Sequence, residues 1–191
     1  MPRIAPVDRP YRPEDARLFD LVMPEGVEPL LLFRTLARSP RVFPRFMRAG
    51  VLDRGPIPIR DRELVIHRTT ANCRAEYEWG VHVEAYWRPL RMSEELLRAT
   101  LHARWDDPVF SDRERALVRM CDELHAQSRL SDAGWEALTR HYDESQCLEL
   151  IYTAGLYHVV SFFAGGLDLA PEPFAARFRD VGGESRGEPS D

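Results

Sequence analysis

The sequence predicts an all-α fold, and three observations carry that reading. No run sustains the strict apolar–polar alternation of a half-buried strand. Apolar residues recur instead at helical spacing through nearly every segment. Helix-start chemistry also repeats, with Ser or Asp followed three residues later by Glu or Gln at Ser111/Glu114 and Asp143/Gln146.

Taken in order, Pro13-Glu14-Asp15 opens a first helix reaching about Met23, with proline placed where its missing N–H costs nothing. Pro29 to Ala37 follows, with Leu30, Leu31, Phe33, Leu36 and Ala37 as an apolar stripe. Ser39-Pro40 stops that helix and starts one bearing Val42, Phe43, Phe46 and Met47. Gly50 and Gly55-Pro56-Ile57-Pro58 read as a rigid connector. Two helices follow, one from about Arg60 to Cys73 and the other from about Arg74 to Trp87, closed by Pro89. Ser93 caps a helix to Ala103, and Trp105-Asp106-Asp107-Pro108 is a loop. The Ser111/Glu114 box starts a helix through His125. Ser131 caps a short one to Tyr142, and the Asp143/Gln146 box starts a long apolar helix to Ala164. A loose echo links Ile59–Val65 with Phe110–Leu117. Residues 182–191 are polar and read as a frayed tail.

Composition narrows the function. The 191 residues suffice for one domain with a sizeable core, and 44% of them are hydrophobic. A net charge of −5 leaves no basic excess to neutralise phosphates, which argues against nucleic-acid binding. All 26 basic residues are arginine, which removes Schiff-base chemistry and a lysine base. Cys73, Cys121 and Cys147 form no CxxC, and their odd count fits a reducing cytoplasm better than a disulfide framework. The stretch 150–170 raises a membrane question, but His158, Asp168 and Gly165-Gly166 favour a buried core helix.

The chemistry concentrates in Glu63, Glu78 and His82. Glu63 and His67 are four apart, as are Glu78 and His82, so each pair shares a helix face. Two solvated i,i+4 pairs are the bland alternative, at a few tenths of a kcal/mol each. Against it stand Leu64, Val65 and Ile66 on one helix and Tyr77, Trp79, Val81 and Val83 on the other. Acids and an imidazole in apolar surroundings suit proton transfer, and two neighbouring carboxyls push one of their pKa values up. Tyr77, Trp79, Tyr86 and Trp87 offer an aromatic wall, and Arg68 or Arg74 a fork for a substrate carboxylate, against the bland readings of core packing and of a solvated helix-face arginine. A di-iron-like centre would need Glu-x-x-His spacing, not the spacing here, and further acids such as Glu123 or Glu149. No metal and no cofactor is therefore expected. His102, His125, His141 and His158 read as isolated.

From about Leu30 to Leu169 the chain resembles the carboxymuconolactone decarboxylase family, whose other branch is the AhpD-like alkylhydroperoxidases. The residues that carry it are Arg62-Glu63-Leu64, Glu76-Tyr77-Glu78-Trp79, His82, Ser93-Glu94-Glu95-Leu96, Ser111-Asp112-Arg113-Glu114 and the segment from Ser131 to Leu138. The resemblance implies an AhpD-like helical bundle at 29–181, preceded by an extension over 1–28 that holds one helix. It also implies a homo-oligomer (trimer, dimer or hexamer) acting on a small molecule, without nucleic acid or membrane. The peroxidase branch places a CxxC between its Glu and His. Counted from Glu63, those positions hold Ala75 and Glu78, while the His falls on His82. Without two thiols there is no local dithiol–disulfide cycle. The implied activity is cofactor-independent acid/base chemistry, decarboxylation or isomerisation, on a small carbonyl or lactone acid. The alternatives are a peroxidase using a non-standard cysteine, with Cys73 beside Arg74, or a non-catalytic oligomeric scaffold.

Overall fold

The structure is a computed structural model describing residues 2–24, 26–50 and 55–181. The expected tail at 182–191 lies outside them. The described residues contain helices and no strand. In chain order the α-helices are α1 (Pro13–Phe19), α2 (Leu31–Leu36), α3 (Val42–Met47), α4 (Ile59–Asn72), α5 (Glu76–His82), α6 (Glu94–His102), α7 (Asp112–Gln127), α8 (Asp132–Thr139), α9 (Glu144–Gly166) and α10 (Phe178–Val181).

Sequence-local chemistry explains most of the boundaries. Ser111 and Asp143 form complete capping boxes with Glu114 and Gln146. The side chains of Ser93 and Ser131 accept backbone N–H groups at the starts of α6 and α8. α4 ends in a Schellman turn. Arg74 sits in the left-handed region at φ 53°, its N–H donates to the Ala71 carbonyl, and the Ala75 N–H reaches the Thr70 carbonyl.

Two features depart from the expectation. The second helix of the central pair is not α-helical to Trp87. After His82 it widens into a π-turn over Val83–Trp87, where the Arg88 N–H bonds the Val83 carbonyl at 3.0 Å. α10 is the other, a short helix no local signal announced. It belongs to a C-terminal strap held by Ala176 N–H to Gly80 O, Phe178 N–H to Glu76 Oε1 and Arg98 Nε to Val181 O.

α4 is the central element, packed against α5, α6, α7 and α9. Two apolar clusters flank it. The larger joins Leu64, Val65, Trp79, Trp87, Leu117 and Leu150; the other joins Phe19, Phe33, Phe43, Ile66, Tyr77 and Tyr157. Phe19 of the N-terminal segment is thus packed into the body of the fold. α9 is long and apolar enough to cross a membrane by length and composition. Its Leu150, Ala154, Tyr157, Val160 and Ala164 are nevertheless buried in the protein.

Candidate active site

α4 and α5 bring Glu63, His82 and Glu78 together in the buried interior. Each is 5% exposed or less. His82 lies between the two carboxylates. Its Nδ1–H donates to Glu63 Oε2 at 2.7 Å, and its Nε2 lies 3.2 Å from Glu78 Oε1. The i,i+4 spacing on α5 makes the second contact, and the packing of α4 on α5 makes the first.

Sequence reasoning missed two residues here. Arg62 donates through its Nη2 to Glu63 Oε1 at 2.9 Å, and the Tyr157 hydroxyl of α9 lies 3.1 Å from His82 Nε2. The only signal for Tyr157 is general: a tyrosine in an apolar helix needs a hydrogen-bond partner for its hydroxyl. Tyr86, placed by the π-turn, stacks on His82 with centroids 5.1 Å apart, and the Arg62 guanidinium sits 5.3 Å from the centre of the Tyr86 ring.

Arg62 and Tyr157 connect this buried set to a cleft of about 560 Å³, also lined by Ile57, Ile59, Glu149 and Tyr152. The volume is in the range of small-molecule pockets.

The electrostatics differ from two carboxyls competing for a proton. Burial alone would push Glu63 up, but His82, His67 and Arg62 together hold its carboxyl below the usual range. Burial opposes charge on His82 as well. Its two carboxylate neighbours overcome that and raise it to about 9. Burial, reinforced by both carboxylates, pushes the Tyr157 phenol well above its ordinary value. Near pH 7 the set holds an imidazolium, an ionised Glu63 and a neutral phenol. The Oε2 atom of Glu78 is buried with no hydrogen-bond partner among the described residues.

His67 has a different role. Its Nδ1 bonds the Glu63 backbone carbonyl at 2.7 Å, its ring packs edge-on to Trp87, and burial holds it neutral, down to about 4. Its ring also lies edge-on to that of His82, with centroids 6.2 Å apart. Glu123 is engaged by Arg119 and Ser131.

None of the four expected substrate contacts, Arg68, Arg74, Tyr77 and Trp79, lines the cleft. Arg68 makes a two-pronged ion pair with Asp122 at 2.6 and 2.8 Å and also donates to the Thr100 carbonyl. Arg74 is exposed in the turn that ends α4. The Tyr77 hydroxyl donates to Glu172 at 2.6 Å and accepts the Leu32 N–H. Trp79 is fully buried against Phe178. Cys73 faces His125, not His82, so no thiol joins the relay.

The helical bundle has an AhpD-like fold, as the solved structures similar to it show. Among solved structures the chain is similar to an uncharacterised peroxidase-related protein with an alkylhydroperoxidase AhpD core from Ralstonia eutropha JMP134. That match has 17% identity and a TM-score of 0.77, over 90% of this chain and 93% of the other. It is also similar to a cysteine-to-alanine variant of the debrominase Bmp8 in complex with 2,3,4-tribromopyrrole, at 15% identity and TM-score 0.74, over 93% and 94%. An uncharacterised peroxidase-related protein from Silicibacter sp. TM1040 matches at 15% and 0.74, over 90% and 92%. These likenesses establish the fold. No family model and no curated protein matches the sequence.

Proposed function

We propose that the protein is a cofactor-independent lyase that decarboxylates a small keto or unsaturated lactone acid. One observation carries the reading: His82 is held between two carboxylates and touches Tyr157, whose ring borders the cleft. The resting set is loaded with protons, as a decarboxylase needs. In the reaction the bond to the substrate carboxylate breaks and CO₂ leaves, with the electron pair passing into an enolate. Tyr157 then gives its proton to carbon, and the His82 Nε2 proton restores the phenol. Solvent recharges His82. Arg62, at the edge of the cleft, faces the developing oxyanion. Correctly placed acids of this kind contribute roughly 10²–10⁴-fold.

The test is a panel of β-keto acids and unsaturated lactone acids in deuterated water. Wild type is expected to release CO₂ and leave one deuterium at the protonated carbon. Tyr157→Phe and His82→Ala are each expected to fall by about 10²–10⁴-fold. Wild-type rates in both variants would sink the proposal. Three free thiols suit a reducing compartment, and we place the enzyme in the cytoplasm on that basis.

We further propose self-association through α9. Leu148, Tyr152, Gly155, Val159 and Phe162 are all exposed, and their 4-3-4-3 spacing makes an apolar seam like that of a coiled coil. Light scattering is expected to show an oligomer for wild type and a monomer for Leu148→Arg/Phe162→Arg. A monomeric wild type would remove this reading.

A further inference from the structure

A second cluster of chemistry-bearing side chains lies outside the acid/base relay. Cys73 closes α4, His125 stands in the last turn of α7, and His158 projects from α9. Their ligand atoms all lie within 4.8 Å of one another. Cys73 Sγ is 3.9 Å from His125 Nδ1, and that nitrogen is 3.0 Å from His158 Nε2. The sequence reading treats the two histidines as isolated because 52 residues separate Cys73 from His125, and 33 separate the histidines.

We propose that Cys73, His125 and His158 form a binding site for a zinc-type divalent cation, with the fourth position open to water or an exogenous ligand. Four observations support it. The donor set, one thiolate and two imidazoles, suits a borderline-soft ion. The separations fit as well: bond lengths near 2.3 Å to sulfur and 2.05 Å to nitrogen in a tetrahedron put sulfur about 3.6 Å from nitrogen and the two nitrogens about 3.3 Å apart. The observed 3.9 and 3.0 Å bracket those two spacings, and the third pair, Cys73 Sγ and His158 Nε2, lies within 4.8 Å.

The third observation is orientation. The Nδ1–H of His158 donates to the Ala154 carbonyl at 2.8 Å, which fixes its tautomer and aims the Nε2 lone pair at His125. Without an ion the His125 Nδ1–H donates to that lone pair; a shared cation would take the place of this proton. Electrostatics are the fourth. Cys73 and His125 stand at helix C-termini, where the backbone favours a cation. Asp122, one turn before His125, is braced by Arg68 and Asn72, the residue next to Cys73. That brace ties the end of α4 to α7 before any ion arrives.

The protein is tested reduced and stripped of metal, by titration with Co²⁺ and by competition for Zn²⁺ against a chromophoric chelator. One ion per chain is expected, with a thiolate-to-cobalt charge-transfer band and the ligand-field intensity of a four-coordinate ion. Cys73→Ser is expected to abolish the charge-transfer band. His158→Ala is expected to weaken Zn²⁺ binding by more than about a hundredfold, beyond what losing an outer partner alone does. Absence of the band in wild type, or Zn²⁺ affinity unchanged in both variants, would overturn the site. So would a Cys73 that alkylates equally fast with and without saturating Zn²⁺, since a metal-bound thiolate is shielded. Far-ultraviolet circular dichroism keeps loss of fold distinct from loss of ligand in each variant.

Discussion

Glu63→Gln is expected to lower stability by about 3–5 kcal/mol, the usual cost of removing one partner from a buried ion pair. The substitution leaves the Arg62 contact without its carboxylate and His82 without its principal counter-charge. The loss should depend on pH with a definite sign. His82 is raised from 6.5 to about 9, so its contribution is complete below pH 6.5 and fades as pH rises through 9. Glu63 is lowered, so its contribution is complete above its ordinary value near 4.5 and fades as pH falls below it. Wild type and variant should therefore differ most between about pH 4.5 and 6.5, and the difference should narrow as pH rises through about 9. His67, lowered to about 4, works the other way in acid. Burial holds it neutral in the folded protein, so it subtracts stability as pH falls from 6.5 towards 4, and more so in the variant, which lacks the Glu63 charge that raises it. Urea unfolding of both proteins across this range measures all three trends. A difference that grows towards pH 9 would contradict the charge assignment.

Gly80→Ala is expected to cost 3 kcal/mol or more, at or above the upper end of ordinary overpacking, about 1–3 kcal/mol. A Cβ at Gly80 would sit 2.1 Å from the Ala176 carbonyl oxygen and 3.1 Å from its carbon. The obstacle is backbone, which cannot swing aside as a side-chain tip does. Either α5 shifts, carrying Glu78 and His82 with it, or the strap lifts and loses the Ala176 and Phe178 hydrogen bonds. Gly134→Ala is the comparison. The three atoms nearest its Cβ all belong to the carboxylate end of Glu123, the first at 2.5 Å, so the cost should be below that at Gly80. Thermal unfolding ranks the two. Protease sensitivity around Arg177 tells whether the strap has lifted.

These two sites show what could and could not be read from the sequence. The i,i+4 step from Glu78 to His82 and the two capping boxes are local, so spacing alone revealed them. Gly80 gives no such signal, because the residue that forbids a side chain lies 96 positions on. The bonds that engage Arg68 and Tyr77 were hidden for the same reason. Their partners Asp122 and Glu172 are 54 and 95 residues away. The expectation that one carboxyl titrates upward failed at Glu63 because His82 lies against it, and a buried imidazolium holds that carboxylate ionised. The π-turn was missed because nothing between Val83 and Trp87 distinguishes a five-residue from a four-residue hydrogen-bond step. The all-α class was legible because helix-start signals and apolar periodicity agree throughout the chain, while the AhpD-like bundle was implied by the resemblance.

α9 carries Tyr157 towards His82, His158 towards Cys73 and an apolar seam outward, all on one unbroken rod. Each added residue turns everything beyond it by about 100°. A one-residue insertion near Gly155 would therefore swing Tyr157, His158, Val159 and Phe162 off their targets together, while leaving the helix itself intact. The helix can accept substitutions face by face, but its length between Leu148 and Phe162 is not free to drift. In related sequences, changes in length should collect in the loops around this helix and avoid the helix itself.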